Sequence, residues 1–149
     1  MFFLYRLIIN TILILSPIII IFRILKNKED PIRFKEKLGI FEKKSIKGKL
    51  IWFHGSSVGE ILSIIPLVEK FEKNKNIKNI LITSNTFSSS KVLKKFRLKK
   101  TIHQFLQIDS RILVKKFLSN WEPSVAIFIE SEIWPNFINE INRKEIPLI

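Results

Sequence analysis

Apolar and polar residues are distributed unevenly along the chain. The first 25 residues are almost entirely apolar, and the uncharged stretch from Leu7 to Phe22 is 16 residues long. With its long flanking side chains this stretch approaches the ~20 residues that a helix needs to cross a bilayer. The pattern predicts a membrane-anchoring helix over residues 1–25. A cleaved signal peptide and a buried helix of a soluble protein are the alternatives, but no small-residue cleavage pattern follows the apolar stretch.

A polar and densely charged connector follows at residues 26–49. Asp30 and Pro31 are typical of a helix start and Gly39 of a helix end, so we expect a short helix from Pro31 to Leu38. Its lysines could contact anionic lipid headgroups, although a solvated linker would have the same composition. Basic residues directly after an apolar span favour the cytoplasmic side of a membrane.

From residue 50 onward, strand-like apolar runs alternate with segments long enough for helices. The runs cover Leu50–His54, Asn79–Thr83, Thr101–Leu106, Val125–Ile129 and Ile146–Ile149. Spacings of roughly 20–30 residues are typical of βαβ units, whose strands are parallel. We therefore expect residues 50–149 to form an α/β domain with a Rossmann-like parallel sheet. Ligands of such sheets bind beyond the carboxyl ends of the strands.

Composition narrows the possible chemistry. The chain has no cysteine and two histidines. This excludes a cysteine nucleophile, disulfides and thiolate metal sites, and it argues against a histidine-rich zinc site. The net charge is +13, of which residues 1–50 carry +7. Hydrophobic residues make up 46% of the chain, which is enough for a packed core and too many for a disordered basic tail.

The most informative loop is expected directly after the first strand. Gly55 and Gly59 allow a sharp turn and a close approach of the backbone, and Ser56 and Ser57 can cap the next helix or bind a sugar hydroxyl. Glu60 then lies in the first helical turn, where the helix dipole favours its ionised, proton-accepting form. An ordinary glutamate at a helix start shows the same pattern, so the spacing alone leaves both interpretations open.

Two further loops hold candidate residues. The hydroxyl-rich turn at residues 84–90 could bind a phosphate or a sugar, although such turns are also common helix caps. Glu130 and Glu132 follow the fourth apolar strand. Carboxylates at the end of a buried strand need a wet cleft or a partner, which makes Glu130 a candidate site residue.

Several other polar or aromatic residues have simple structural interpretations. Asp109 is expected to cap the helix that begins at Arg111. Trp134 is expected to pack at the start of a later helix. His54 and His103 have no visible partner in the sequence, and they are more typical of satisfied core or rim histidines than of ligands.

Six of the ten residues from Lys91 to Lys100 are basic. Such a density could bind nucleic acid, anionic lipid or a phosphorylated acceptor. Phe96 is the one aromatic residue in the run, so platforms for stacking bases are scarce. A solvated helix face is the simplest interpretation. A membrane-tethered protein that binds anionic lipid or nucleic acid through this run is the non-catalytic alternative.

Taken together, several motifs resemble the 3-deoxy-D-manno-octulosonic acid (Kdo) transferases of lipopolysaccharide synthesis. After the N-terminal apolar helix they are Arg33-Phe34-x-x-x-Leu38-Gly39, Ile51-Trp52-x-His54-x-x-Ser57-Val58-Gly59-Glu60, Pro66-Leu67 and Glu130-Ser131-Glu132-Ile133-Trp134-Pro135-Asn136. The resemblance covers nearly the whole chain, and its two long motifs are specific in order and spacing. Gly55 departs from the alanine that is more usual in the family, a change that we expect a turn to tolerate.

The resemblance implies the N-terminal lobe of a two-lobed glycosyltransferase B fold. The family's enzymes are inverting and metal-independent, lie on the inner membrane and transfer Kdo from CMP-Kdo to a lipid A precursor. The globular lobe would lie on the cytoplasmic side, and no cofactor is expected. Glu60 matches the family's general base, and Glu130 matches its second acidic position, which supports the transition state. The acceptor would be bound by residues beside the base: Gly55, Ser56, Ser57 and Gly59.

Family members are more than twice as long and bind the donor in a second lobe. This chain stops at Ile149, inside an expected strand, so we interpret it as an acceptor lobe that lacks transferase activity alone. A truncated gene product, an incomplete sequence and half of a split enzyme all fit. The implied partners are the lipid A precursor, CMP-Kdo and the membrane, not nucleic acid. A nucleotide-binding lobe of another transferase is less compatible, because Glu60 would repel phosphate in its glycine loop.

Overall fold

The computed structural model describes residues 2–42, 48–129 and 133–149. In this part of the chain, four parallel strands form one sheet with helices on both faces. The strands are β1 (Leu50–His54), β2 (Asn79–Ser84), β3 (Thr101–Phe105) and β4 (Val125–Phe128). The helices are α1 (Phe2–Leu25), α2 (Val58–Lys73), α3 (Phe87–Leu93), α4 (Arg111–Trp121) and α5 (Pro135–Arg143). The α/β class expected from the sequence is confirmed.

The strand order in the sheet is β3-β2-β1-β4. The chain therefore moves outward from β1 through β2 to β3, and then returns to the other side of β1. In the register, Phe53 of β1 lies between Ile82 of β2 and Ile127 of β4. All of these pairs are parallel, which is why a helix must separate each strand from the next.

Two apolar layers enclose the sheet, because successive side chains of a strand point to opposite faces. Trp52 of β1 packs on the α4–α5 side, where its ring centroid lies 4.9 Å from that of Phe117. Phe53, the next residue, packs on the opposite side against Ile61 and Ile65 of α2. Both β1 side chains are fully buried.

The fifth predicted strand, Ile146–Ile149, is wrong as a full strand. Leu148 forms one isolated parallel bridge with Ala126 of β4. The backbone N–H of Ala126 donates to the carbonyl of Pro147 at 2.9 Å, and that of Ile149 donates back to Ala126 at 3.0 Å. Pro147 has no N–H of its own to donate, which limits the ladder at this position.

The connector packs on the sheet. A 3-10 helix covers Arg33–Leu38, so the helix predicted from Pro31 begins two residues later and is wound more tightly. Gly39 ends it as expected, with a left-handed φ of 71°. A Cβ on Gly39 would lie 2.6 Å from Cδ2 of Leu113, so both the backbone and the packing require glycine here. Glu29 is buried, which distinguishes this part of the connector from a solvated linker.

The 3-10 helix covers the edge strand β3 with an ion pair. Arg33 contacts Glu36 at 2.7 Å and donates from Nη2 to the carbonyl of His103 at 2.8 Å. A carboxylate oxygen of Glu36 accepts the N–H of Phe105 at 2.8 Å. Backbone groups on the outer side of an edge strand are otherwise available for wrong pairing. This contact gives a structural role to the arginine of the first motif.

The helix α1 is a candidate membrane span by length and composition. It has 24 residues, and its most apolar window has a mean hydropathy of 2.4. Ser16 and Ile20 are its buried residues, whereas most of its large apolar side chains are exposed. The helix is therefore not a core helix of the lobe.

Asp109 was predicted to cap the helix that follows it, and this prediction is wrong. The N-cap of α4 is Ser110, whose hydroxyl accepts an N–H from the first turn. The Asp109 carboxylate instead accepts the N–H groups of Asn136 and Phe137, each at 2.9 Å, and the hydroxyl of Tyr5 at 2.6 Å. It thus caps α5 from another loop and ties α1 to the same place. Burial raises the pKa of Asp109 despite these hydrogen bonds.

Replacement of Asp109 by alanine should lower the free energy of unfolding by about 2–4 kcal/mol, because two buried N–H groups at the start of α5 lose their acceptor. Chemical unfolding in a mild detergent measures the loss. The exposed Glu69→Ala serves as the control and should change stability by less than about 0.5 kcal/mol. Equal stability of the two variants would contradict the capping role.

Candidate active site

The loops that follow β1 and β4 begin side by side at the point where the strand order reverses. β1 pairs with β2 on one side and with β4 on the other. The N–H of Ile129, just after β4, donates to the carbonyl of His54 at the end of β1, at 2.9 Å. Open parallel sheets bind ligands at such a switch point. The topology therefore indicates that a ligand would bind between the loop after β1 and the loop after β4.

The loop after β1 enters α2 through a reciprocal capping box. The hydroxyl of Ser57 accepts the N–H of Glu60 at 3.2 Å. In return, the Glu60 carboxylate accepts the N–H of Ser57 at 3.2 Å and that of Ser56 at 2.7 Å. These bonds satisfy N–H groups that a helix start leaves without a partner. Glu60 therefore has a structural function, whatever chemistry it performs.

The capping bonds also set the charge of Glu60. Burial acts to raise its pKa, but the hydrogen bonds from Ser57 and Ser56 and the electrostatic influence of His54 outweigh it and hold the pKa below its ordinary value of 4.5. The carboxylate is consequently ionised at neutral pH, as the sequence predicts. The residue is partly exposed, so a ligand at the edge of the sheet can reach it.

The two glycines of this loop differ in what they permit. Gly55 is buried, and a Cβ there would lie 3.2 Å from Cβ of Glu60 and 3.4 Å from Cδ1 of Ile61. An alanine at position 55 therefore needs a shift of a few tenths of an ångström. Gly59 is exposed, and a Cβ there would contact Ser57 Oγ at an ordinary 3.9 Å. Packing does not require glycine at position 59.

The second loop supports the first. Nδ2 of Asn85 donates to the hydroxyl of Ser56 at 2.6 Å, and the hydroxyl of Ser89 donates to the carbonyl of Ser56 at 3.5 Å. Thr86 is the N-cap of α3 and accepts the N–H of Ser89 at 3.2 Å. The hydroxyl groups of this turn thus make bonds within the fold, in agreement with their interpretation as helix caps.

Buried polar side chains lie beneath the first loop. Oγ1 of Thr83 accepts from Trp52 Nε1 at 2.8 Å and bonds Nδ1 of His54 at 2.9 Å. The His54 ring is fully buried and lies 5.2 Å from the ring of Phe128. The interpretation of His54 as a core histidine is confirmed. This bonding gives the Trp-x-His pair of the second motif a structural role, since both side chains bond the same threonine of β2.

His103 lies away from this site. Its Nε2 bonds the hydroxyl of Ser84 at 2.9 Å. Burial, together with the nearby charges of Arg33 and Lys94, lowers its pKa to about 3. The ring is therefore neutral at physiological pH. It is a core or rim histidine as expected, but only in part a satisfied one, because its buried Nδ1 has no hydrogen-bond partner among the described residues.

Lys37, a half-buried lysine that the sequence pattern does not indicate, joins the connector to the loops. Nζ of Lys37 donates to the carbonyl of Asn85 and to Glu29, each at 2.8 Å, and Glu29 also contacts Arg23 of α1 at 3.1 Å. Burial lowers the pKa of Lys37. The acidic residues Glu29 and Asp30 inside this strongly basic segment are the feature of the sequence that could have predicted a buried ion pair here.

The third loop is described in part. Glu130 lies outside the described residues, so its assignment stays a prediction. Trp134 is the N-cap of α5, Pro135 is the first residue of that helix, and the Trp134 side chain packs against the core. The predicted helix start is confirmed.

The basic run Lys91–Lys100 is not one helix face, so that expectation is wrong. α3 ends at Leu93, and the chain then turns back toward β3. The N–H groups of Lys99 and Lys100 bond the carboxylate of Glu72, and Phe96 packs against the core as expected. The turn brings these two backbone N–H groups to the Glu72 carboxylate of α2, directly before the edge strand β3 begins.

Among residues 2–42, 48–129 and 133–149, no group of three histidine, aspartate or glutamate side chains could hold a metal ion. The candidate site thus consists of a partly exposed, ionised carboxylate, that of Glu60, at the switch point of the parallel sheet.

Comparison with known proteins identifies the family. The family described as 3-deoxy-D-manno-octulosonic-acid transferase matches residues 32–149. A 3-deoxy-D-manno-octulosonic acid transferase of Rickettsia bellii is 42% identical over 127 residues, which are 85% of this chain and 30% of the relative. A probable mitochondrial one of Arabidopsis thaliana is 35% identical over 136 residues, or 89% of this chain and 30% of the relative. One of Haemophilus influenzae is 28% identical over 144 residues, or 94% and 34%.

The chain belongs to the 3-deoxy-D-manno-octulosonic acid transferase family, as its motifs indicated. It spans about a third of the length of these relatives. The matched region begins at residue 32 and so includes the 3-10 helix that covers β3.

The capping box should make stability depend on pH through Glu60. Because folding lowers the pKa of Glu60, the ionised carboxylate stabilises the fold above pH 4.5, and this contribution is lost as the pH falls through the lower, folded-state value. The free energy of unfolding of the native chain should therefore exceed that of Glu60→Gln near neutrality, and the difference should shrink in acid. Unfolding curves of both chains between neutral pH and pH 3 test this. A difference that does not vary with pH would contradict it.

Proposed function

We propose that this chain provides the acceptor-binding lobe of a transferase that moves Kdo from CMP-Kdo to a lipid A precursor on the cytoplasmic side of the inner membrane. In this proposal residues 1–25 form the membrane anchor, residues 26–49 the connector and residues 50–149 the lobe. The observation that supports it most directly is the ionised Glu60 carboxylate, which lies partly exposed at the switch point of the sheet. CMP-Kdo would bind to the part of the enzyme that lies beyond the region shared with this chain.

Glu60 acts as the general base. A hydroxyl oxygen of the acceptor attacks the anomeric carbon of Kdo and forms the new C–O bond, while the hydroxyl proton passes to the carboxylate. The bond between the anomeric carbon and the phosphate oxygen breaks, and CMP leaves with that electron pair. Attack from the face opposite to the leaving group inverts the anomeric carbon. No metal ion is needed for the proton transfer, because the carboxylate is already ionised.

The capping box leaves Glu60 able to accept this proton. Its two oxygens accept one N–H each, from Ser56 and Ser57. A carboxylate offers about four lone-pair positions, so the acceptor hydroxyl can bond another of them. The same N–H bonds fix the direction of the carboxylate, which reduces the orientational cost of the reaction. They also make Glu60 a weak base, so proton transfer accompanies bond formation and does not precede it.

The neighbouring residues suit an acceptor sugar. The Ser56 hydroxyl accepts from Asn85 and still has its own hydrogen to donate to a sugar oxygen. Gly59 is exposed and is not required by packing, and the missing side chain leaves room beside Glu60. Gly55 allows α2 to begin close to the end of β1. Ser57 orients the base through the capping box.

Glu130 is proposed to support the transition state, as the family resemblance implies. Ile129, the residue before it, bonds the carbonyl of His54 at the end of β1. The chain thus enters the third loop from the strand adjacent to the one that carries the Glu60 loop.

Replacement of Glu60 by glutamine separates this enzyme from a non-catalytic binder of anionic polymers. Glutamine can keep the capping box through its side-chain carbonyl, so the fold should persist, but it cannot accept the proton. In a chain that joins this lobe to the remaining part of a relative, kcat should fall about 10²–10⁴-fold while the KM for the acceptor changes little. Kdo transfer from CMP-Kdo to a lipid A precursor measures both constants.

Alanine at Glu69 is the control and should leave both constants unchanged. Retention of full kcat by Glu60→Gln, with the native fold verified by circular dichroism, would exclude Glu60 as the base. Absence of transfer by the unsubstituted and the substituted chain alike, with equal binding of the acceptor, would favour the non-catalytic binder.

A further inference from the structure

The N-terminal half of α1 contacts the edge of the sheet from which the candidate site opens. The hydroxyl of Tyr5 donates to Asp109 at 2.6 Å, and Nε of Arg6 donates to Asn136 at 3.2 Å. Asp109 follows β3, and Asn136 lies in the first turn of α5 after β4, so both lie beyond the carboxyl ends of strands. One end of α1 is therefore fixed to the same edge of the sheet as Glu60.

A second contact holds the other end of the helix. At its other end Arg23 contacts Glu29, which in turn bonds Lys37 of the connector. The least exposed side chains between the two ends recur every three or four residues and so share one face: Tyr5, Ile9, Leu13, Ser16, Ile20 and Ile24. From Tyr5 to Arg23 this face is roughly 27 Å long at 1.5 Å per residue.

The remaining surface of α1 is apolar and open to solvent. Its large side chains are exposed by 40 to 81%, and they are Phe2, Phe3, Leu4, Leu7, Ile8, Ile12, Ile14, Leu15, Ile18, Ile19, Ile21, Phe22 and Leu25. A continuous apolar surface of this extent is typical of contact with lipid. Lys26 and Lys28, both exposed, follow directly and would meet anionic headgroups.

Two exposed apolar side chains of the lobe lie close in sequence to the residues that bond α1. Ile112 is 78% exposed and lies three residues after Asp109, which bonds α1. Ile133 is 72% exposed and lies three residues before Asn136, which also bonds α1. One isoleucine lies in the first turn of α4 and the other precedes α5, each three residues from a residue that bonds α1, so both are placed to add to the apolar surface of the helix.

An upright α1 is incompatible with these contacts. The hydrocarbon core of a bilayer is about 30 Å thick, so an upright helix would draw about 27 Å of the attached lobe into it. Asp109, which bonds Tyr5 of α1, is followed within α4 by the exposed Lys115 and Lys116. Charged side chains in hydrocarbon are strongly disfavoured. A helix that lies on its side keeps both its apolar surface in lipid and the lobe in water.

We propose that α1 lies in the plane of the membrane interface along its full length, and that Ile112 and Ile133 enter the lipid beside it. The carboxyl-end edge of the sheet then faces the bilayer, and Glu60 lies at the level where the sugar of a lipid-linked acceptor would be found. This orientation rests on the proposed membrane location but not on the transfer reaction.

Fluorophore depth measurements test the orientation, and the absence of native cysteine makes single labels straightforward. Phe3→Cys, Ile14→Cys and Leu25→Cys carry a small fluorophore in phosphatidylethanolamine–phosphatidylglycerol vesicles that contain lipid nitroxides at known depths. An in-plane helix gives the same shallow depth at all three positions. A crossing helix gives its greatest depth at position 14 and shallow depths at positions 3 and 25, and this result would overturn the proposal.

Fluorophores on the lobe test the second part of the proposal, that its carboxyl-end edge faces the membrane. Ile112→Cys and Ile133→Cys should be quenched by the lipid nitroxides, whereas Leu67→Cys on α2, which packs on the other face of the sheet, should not be. Quenching at position 67 equal to that at 112 and 133 would refute the proposed membrane-facing edge. A chain that fails to bind the vesicles at all would refute the membrane location as well, whereas the transfer assay of Glu60→Gln tests the reaction independently.

Discussion

The parallel pairing of β1 with both β2 and β4 is the constraint on which the rest of the structure depends. Because of this pairing, the chain runs from β1 through β2 to β3 on one side of β1. It then returns to form β4 on the other side. The loop after β1 therefore opens at the switch point, and the helix α2 begins there with its N-terminus toward the edge of the sheet. Trp52 and Phe53, packed on opposite faces, hold this strand in register.

The capping box shows how one residue serves both the fold and the chemistry. Glu60 closes the first turn of α2 by accepting two N–H groups, and the same bonds keep it ionised and directed. A carboxylate that is held by backbone donors needs no further side chain to orient it. A serine at position 57 and an acidic or amide side chain at position 60 are therefore what the fold requires, whereas only the acidic group can accept a proton.

A continuous series of polar contacts joins α1 to this loop. It runs from Arg23 to Glu29, then to Lys37, to Asn85 and to Ser56 beside Glu60. The first two contacts are local, whereas those of Lys37 with Asn85 and of Asn85 with Ser56 span 48 and 29 residues, so the folded lobe fixes the connector and its helix relative to the site. The proposed base and the apolar helix are thus parts of one rigid edge.

The sequence by itself determined the α/β class, the four described strands, the Ser57–Glu60 helix start and the family, because periodicity, capping residues and motifs are local patterns. It did not reveal that Asp109 caps α5 instead of its own helix, or that Lys37 bonds the carbonyl of Asn85. The basic run from Lys91 to Lys100 was expected to form one helix face, but α3 ends at Leu93. These features depend on which loops meet at the carboxyl-end edge, and only the packing of distant segments in the tertiary structure decides that.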